Sequence, residues 1–247
     1  MKTWIVMNDL QIGFHDGPVV DLVLKFVDAV KPHGVVLNGD IVDCYEISDF
    51  RKNPRHRNKG LDQEVKAAGQ VMNRLAKSTK ERVWLGGNHE DRWRKLIWDD
   101  APQMSLVHGA EFPAVFKLAD YGFQWKEWGG SVTLGRLMVT HGFLVAQHSA
   151  VSGKRHFERL GTSVLIGHTH RLGIYFRSNA RGIHAAFENG CLCRLNPEYV
   201  QYPDWQQGFS VVHVADGGWF NVQQIPIINR KGFFYGKDWF GRIGDKP

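Results

Sequence analysis

Val35-Val36-Leu37-Asn38-Gly39-Asp40-Ile41-Val42-Asp43 decides the fold: a short run of aliphatic residues stops abruptly at a glycine and a carboxylate. The same arrangement occurs on either side of it. Trp4-Ile5-Val6-Met7 ends at Asn8-Asp9-Leu10-Gln11, and Val83-Trp84-Leu85 ends at Gly86-Gly87-Asn88-His89-Glu90. Helical stripes lie between these runs. Val20, Val23, Leu24, Val27 and Val30 recur at helical spacing over residues 18–30, with Asp16 placed to cap the first turn. Leu61, Val65, Ala68, Met72, Leu75 and Ala76 mark a second amphipathic helix. Alternation of this kind predicts parallel strands flanked by helices. Open α/β sheets place their ligand sites at the carboxyl ends of strands, so polar groups at three such ends predict one site.

The second half of the chain is β-rich. Residues 90–119 first read as helical, with Trp93, Leu96, Ile97 and Trp98 forming a mostly core-facing stripe and turns at Pro102 and Pro113. Runs at 132–134 and 137–140 then flank Gly135-Arg136, a hairpin signature, and lead into Thr140-His141-Gly142. Val164-Leu165-Ile166 leads into Gly167-His168-Thr169-His170, and further strands are expected over 173–177, 183–187, 209–214 and 219–224. The expectation is one domain over residues 1–226, an α/β sandwich of two sheets with helices outside. A basic, aromatic tail over 227–247 follows it, carrying Phe233, Phe234, Tyr235, Trp239 and Phe240.

Bulk properties narrow the class. The chain has 247 residues, 43% hydrophobic and 23% charged, enough to bury a sizeable core and ordinary for a water-soluble protein. No apolar run reaches the ~18 residues of a membrane helix, and the N-terminus turns polar too soon for a secretory signal. With three cysteines, Cys44, Cys191 and Cys193, no disulfide framework is expected, and a cytoplasmic location follows. Cys191 and Cys193 read as same-face residues of a strand, with metal ligation the alternative. The net charge of +6 suits an anionic substrate or a polyanionic partner, and without an apolar run long enough to span a bilayer no membrane partner is expected. Much of it is local: residues 51–59 hold Arg51, Lys52, Arg55, Arg57 and Lys59 with no acid.

Carboxylate, amide and imidazole groups at the five polar segments are what two divalent cations sharing one site require. Asp40 is the natural bridge, because Gly39 lets the backbone turn sharply ahead of it. Asn88 offers a carbonyl oxygen. His168 and His170, two apart, can diverge toward different cations if the backbone twists between them. Two dications, Asp9, Asp40 and a hydroxide leave a small net positive charge, suited to a phosphoryl group. No Cys-containing phosphate loop, G-x-S-x-G or Walker A glycine loop offers another chemistry.

These segments resemble the calcineurin-like metallophosphoesterase superfamily, whose pattern is D-x-H, G-D-x-x-D, G-N-H-[DE], H and G-H-x-H, over about residues 4 to 190. The resemblance implies a four-layer αββα sandwich with two cations where the strands end. It places Asp9, Gln11, Asp40 and His170 around the first cation, and Asp40, Asn88, His141 and His168 around the second. His89 would serve the leaving-group oxygen as acid, and Asp43 would orient the ligands from behind. Asp9-Leu10-Gln11 together with Trp205-Gln206-Gln207-Gly208-Phe209 looks like phage and prophage members, so a host cytoplasm is implied if the chain is phage-encoded. One departure matters: the usual first-motif histidine is Gln11. An amide oxygen is a harder, weaker ligand, which loosens the first position and favours Mn, with Mg, Zn, Fe, Ni or Co as alternatives. Gln11 as a donor behind a water, or His15 in its place, are the other readings.

The expected function is a metal-dependent phosphoesterase using a metal-bridging hydroxide. A phosphodiesterase acting on a nucleotide or nucleic acid is favoured, because Arg55, Arg57 and Arg92 can bind phosphate near the site. A phosphomonoesterase on a small or protein substrate is the alternative. A catalytically weak interaction scaffold with the same fold is the reading from another class, and a homodimer is left open.

Overall fold

The computed structural model describes residues 1–53, 60–197 and 201–232. Five helices and twelve strands alternate through them in chain order: β1 (Lys2–Met7), α1 (Gly17–Val30), β2 (Gly34–Asn38), α2 (Leu61–Ser78), β3 (Glu81–Leu85), α3 (Asp91–Lys95), α4 (Phe112–Val115), β4 (Gln124–Lys126), β5 (Ser131–Leu134), β6 (Leu137–Thr140), α5 (Val151–Leu160), β7 (Val164–Ile166), β8 (Leu172–Asn179), β9 (Gly182–Asn189), β10 (Gly208–Val214), β11 (Phe220–Ile228) and β12 (Lys231–Gly232). One sheet has the order β12-β11-β10-β1-β2-β3-β4 and the other β5-β6-β7-β9-β8. Strands β1, β2, β3 and β4 are parallel, β10 closes on β1 antiparallel, and β6, β7 and β9 run parallel in the second sheet. Both sheets are therefore mixed, as expected.

Period-two alternation divides each strand between two cores. From β1, Ile5 and Met7 face α1 and α2, while Trp4 and Val6 face the second sheet. β2 and β3 repeat the division, with Leu37 and Trp84 on the helical side and Val36, Val83 and Leu85 between the sheets. Leu137, Val139, Leu165 and Phe187 meet them from the second sheet, whose opposite face packs Val164, Ile166 and Ala186 beneath Phe157 of α5. The layers are helix, sheet, sheet, helix. Trp84 anchors the first layer, wholly buried with edge contacts to Phe112, Phe116, Phe123 and Trp125. Among the described residues no helix is long and apolar enough to cross a membrane.

Three local expectations are corrected. Residues 90–119 form no continuous helix: α3 passes into a wide π turn over Leu96–Asp100 and a 3-10 turn over Pro102–Leu106. The wider turn rotates the side-chain stripe out of phase, so Trp98 is 60% exposed and stacks on Arg94 at 4.2 Å. Asp16 sits at the N-cap of α1 but makes no side-chain cap bond, because its carboxylate turns to Gln207 (3.4 Å) and Arg230 (3.5 Å). Cys191 and Cys193 lie beyond the end of β9 in isolated bridges to Gln207 and His15, not in a strand. At the end of the described residues β11 continues through Ile228 and hairpins into β12, and Ile227 belongs to the core. The aromatic residues from Phe233 onward lie outside the described residues.

Glu64 of α2 is buried, and its two oxygens accept the backbone N–H groups of Cys44 (2.7 Å) and Tyr45 (3.1 Å), tying α2 to the loop after Asp43. Burial pushes its carboxyl up to about 7, against the two hydrogen bonds that favour the charged form. An acid raised in the folded state contributes stability that is complete below its unfolded value near 4.5 and is lost as pH rises through about 7. This linkage is worth on the order of 3 kcal/mol. Urea midpoints of Glu64→Gln measured from pH 4.5 to 8 should therefore lose that much of the wild-type slope, and an unchanged slope would clear Glu64 of the effect.

Candidate metal centre

Every candidate cation ligand stands where a strand gives out. Asp9 and Gln11 follow β1, Asp40 follows β2, Asn88 follows β3, His141 follows β6, and His168 and His170 follow β7. The two sheets thus bring their carboxyl ends to one edge, and residues 9 to 170 meet there. Asp9 Oδ1 is 3.0 Å from His170 Nε2, and Gln11 Nε2 lies 3.2 Å from the same nitrogen. Asp40 Oδ2 is 3.3 Å from His141 Nε2, whose ring is edge-on to His168 at 5.2 Å. Asp40, His141 and His168 can each offer a ligand atom within 4.8 Å of the others. The result is two clusters, or half-sites, one of Asp9, Gln11 and His170 and one of Asp40, His141 and His168, each gathering residues that the resemblance assigns to one cation.

The backbone is shaped for this purpose. Asp9, Gln11, Asp40, His168 and His170 all have positive φ, between 48° and 68°, a region few residues other than glycine enter. Such conformations cost of order 1–3 kcal/mol each and persist where the surroundings hold them. His168 and His170 diverge because both are left-handed on either side of Thr169. At Gly39, with φ +82°, a β-carbon would fall 2.4 Å from His141 Nδ1, and at Gly87 one would fall 2.1 Å from Asp40 Oδ1. Glycine at both positions is therefore a packing requirement, and at Gly39 a turning one as well.

Hydrogen bonds aim the donors. His141 Nδ1–H donates to the Asn38 carbonyl at 2.7 Å, which turns Nε2 inward. The backbone N–H of His168 donates to Asp9 Oδ2 at 2.9 Å, and that of His89 to Asp40 Oδ1 at 2.9 Å. Among the described residues, the buried Asn88 Oδ1 makes no hydrogen bond, while Asp9 Oδ1 and His141 Nε2 meet only the facing His170 imidazole and Asp40 carboxylate. Buried polar atoms are rarely left so, because each costs about 1–3 kcal/mol. A carboxylate oxygen, an amide oxygen and an imidazole nitrogen are also what borderline dications take, so these residues fit a pair of them.

The charges are strongly coupled. Burial alone would raise the Asp40 carboxyl, but His141 and His89 hold it well below the usual carboxylate range. Burial would lower His141 and His170, yet Asp40 and Asp9 push each up to about 10. Burial and the neighbouring His141 take His168 down to about 4. Two buried carboxylates thus set a field that favours positive charge at this edge.

Several supporting residues have no signal in spacing alone. Glu90, buried beneath the site, accepts four backbone N–H groups: Asp40 (2.9 Å) and Gly87 (2.7 Å) at Oε2, Ile41 (2.8 Å) and Val42 (3.3 Å) at Oε1. Its position after Gly87-Asn88-His89 is the one available clue. Asn8 bridges Asp9 Oδ2 (2.5 Å) and the Gly190 carbonyl (2.8 Å), and takes a bond from Asn189 (2.5 Å). The Trp205-Gln206-Gln207 stretch braces the far side. Trp205 stands edge-on to His170 at 4.2 Å, Gln206 N–H donates to the His170 carbonyl at 2.8 Å, and Gln207 Nε2 donates to the Cys193 carbonyl at 2.8 Å.

The remaining candidates flank the second half-site. His89 Nε2 lies 3.7 Å from Asp40 Oδ2 and 3.3 Å from Arg92 Nη2, and its Nδ1 is 3.8 Å from Asp43 Oδ1. Arg92 clamps Asp43 through both its carbonyl (2.6 Å) and carboxylate (2.9 Å) oxygens, so Asp43 positions Arg92 and His89. Arg55 and Arg57 lie outside the described residues.

No family model matches the chain. The gene 54 protein of Mycobacterium phage L5 is 27% identical over 258 residues, covering 96% of this chain and 98% of that one. Among solved structures, the phosphoesterase Yfce from E. coli aligns at 15% identity with a TM-score of 0.40, covering 92% of this chain and 100% of that one. A dimetal phosphatase from Danio rerio aligns at 12% identity with a TM-score of 0.41, covering 94% and 95%. At that level of likeness the chemistry has to be read from this chain's own side chains.

Replacing Glu90 by Gln puts an amide N–H₂ against backbone donors. Loss of about 2–4 kcal/mol in urea denaturation and a 10–100-fold drop in Mn²⁺ affinity by calorimetry are expected. Wild-type affinity in a destabilised variant would show that Glu90 supports the fold alone.

Proposed function

We propose that this chain is a dinuclear metal-dependent phosphoesterase, and that its substrate is a phosphodiester of a nucleotide or nucleic acid. The observation that carries the reading is the convergence of two half-sites at one sheet edge, in each of which a buried carboxylate faces an imidazole, with the buried Asn88 Oδ1 left without a hydrogen-bond partner among the described residues. Asp9, Gln11 and His170 would hold one cation, Asn88, His141 and His168 the other, with Asp40 between them. When bound, such a pair supplies an activated water and neutralises charge on the phosphoryl group. Mn²⁺ suits the mixture of amide and carboxylate oxygens with imidazole.

The chain's own residues divide the remaining work. His89 stands at the rim of the second half-site, positioned by Asp43 and Arg92, where it can give a proton to the departing oxygen. Arg92 is fixed as a cation beside it. Lys52, whose amine is lowered first by burial and then by the Arg92 charge, adds a second cation to this part of the surface. A rim of this sign favours an anionic chain extending past the reacting phosphate, which a diester provides and a small monoester lacks. Metal ligands left-handed on their own backbone, together with the retained His89, weigh against a scaffold that has no use for either.

Turnover of bis-p-nitrophenyl phosphate and p-nitrophenyl phosphate with Mn²⁺, with Mg²⁺ and after chelation tests the reading. Preferential cleavage of the diester, lost on chelation and in Asp40→Ala, is expected; a monoester preference would redirect it to a phosphatase, and no turnover with any metal to a scaffold. His89→Ala should lower kcat by about 10²–10⁴-fold while the Mn²⁺ stoichiometry holds. If oligonucleotides are the substrate, kcat/KM should fall steeply with added salt, and Arg92→Ala should reduce both kcat/KM and that slope by roughly one charge. A flat salt response would argue for a small diester.

A further inference from the structure

Behind the first half-site lies a second cluster that the phosphoesterase chemistry does not use. Cys191, Cys193 and His170 are all buried, and each can offer an atom within 4.8 Å of the other two. Cys193 Sγ is 3.8 Å from His170 Nδ1, the ring nitrogen turned away from Asp9. The Gln206 carbonyl, 3.6 Å from Cys191 Sγ, lies on a further side. Leu192 points the other way, into the core beneath α1, so the two thiols face one direction. In a tetrahedral site with Zn–S about 2.3 Å and Zn–N about 2.0 Å, ligand atoms sit about 3.5–3.8 Å apart. The Cys193–His170 separation already meets this, and no separation in the cluster exceeds 4.8 Å.

We propose that Cys191, Cys193 and His170 Nδ1 form a distinct site for a thiophilic cation such as Zn²⁺ or Cd²⁺, antagonistic to the hard-cation position on Asp9 and Gln11. The donor set is the reason for the selectivity: two sulfurs and an imidazole suit soft and borderline ions, while Asp9 and Gln11 offer oxygens. Binding breaks both S–H bonds and the Nδ1–H bond of the His170 imidazolium, releases the three protons to water and takes the Nδ1 lone pair. The imidazole proton then sits on Nε2, which is 3.0 Å from Asp9 Oδ1. That N–H donates to Asp9, so one cation on the sulfur side withdraws His170 and engages Asp9 on the other. His170 is thus a shared ligand that serves one side at a time. The sulfur site stands on its own observations; the antagonism rests on the metal centre proposed above.

Co²⁺ added to the metal-stripped full chain tests the site directly, since thiolate-to-cobalt charge transfer in the near ultraviolet reports sulfur ligation and is absent from oxygen and nitrogen sites. The band is expected in the wild type and in Cys44→Ser, and lost in Cys191→Ser and in Cys193→Ser. Its absence from the wild type, or its persistence in both of the latter variants, would overturn the site. Should those variants fail to fold, X-ray absorption of the Zn²⁺-loaded wild type gives the answer: two sulfur neighbours at about 2.3 Å support it, and none refutes it. For the antagonism, Mn²⁺ titration by calorimetry with and without one equivalent of Cd²⁺ should show a 10–100-fold loss of affinity at one Mn²⁺ position. Sulfur ligation with Mn²⁺ binding unchanged would leave the site standing and refute the sharing of His170. Absence of Mn²⁺ binding altogether would refute the antagonism and count against the metal centre itself.

Discussion

The Glu90 carboxylate is the constraint on which the site depends. Its two oxygens collect four backbone N–H groups from two different strand ends, 40–42 and 87. A charge-assisted bond of this kind is roughly twice as strong as a neutral one, and these four have no helix or ladder to serve them instead. The loop after β2 is held in the one conformation that points Asp40 at His141, and the loop after β3 is held against it closely enough that Gly87 has no room for a side chain. Burial and the adjacent Asp40 push Glu90 up to about 7 despite its four donors. A carboxyl group is kept where water cannot reach it because four backbone N–H groups demand acceptors there.

Such a site is costly, and the rest of the molecule offsets the cost. Five candidate ligand residues sit in left-handed backbone, and two carboxylates are buried with imidazoles as their nearest counter-charges. Against this stand the apolar layer between the sheets and the larger one under α1 and α2, where each fully buried Val, Leu or Ile contributes about 1.5–3 kcal/mol. A polar seam crosses from one sheet to the other at the same edge. Asn8, Asn189 and Ser210 form a buried chain of hydrogen bonds, Gln224 donates to the Glu188 carbonyl at 2.5 Å, and His168 donates to Asp9. Apolar contacts between sheets tolerate sliding; these bonds do not, and they set the register at which the two half-sites face each other.

What the sequence made legible was whatever is local. Period-two runs ending at Asp9, Asp40, Asn88 and His168 located the strands, and helical stripes located α1 and α2, because side-chain periodicity is a short-range property. The candidate ligands were legible for the same reason: each lies within the first few residues after its strand. Contacts formed across long separations were not. Nothing at residue 90 announces that it will bind residues 40 to 42, and Asp16 was misjudged because Gln207, 191 residues away, competes for its carboxylate. The π turn after α3 escaped notice because Trp93 to Trp98 keep helical spacing in the sequence while the backbone slips by one residue. Cys191 and Cys193 were read as strand positions; their alternation is real, but the ladder ends at Asn189.

The order in which the donors occur along the chain has a consequence for synthesis. Asp9, Gln11, Asp40 and Asn88 emerge first, on three parallel strands with local crossovers, while His141, His168 and His170 come later on the second sheet. The Trp205-Gln206-Gln207 brace that steadies His170 is made later still. A growing chain therefore exposes oxygen donors well before it can supply the imidazoles that complete either half-site. Because non-local contacts of this sort form late, assembly of the centre is deferred until the two sheets have closed on each other. Competence to hold cations tightly would then coincide with completion of the fold, so that a nascent or truncated chain presents only a weak oxygen cluster to the ions around it.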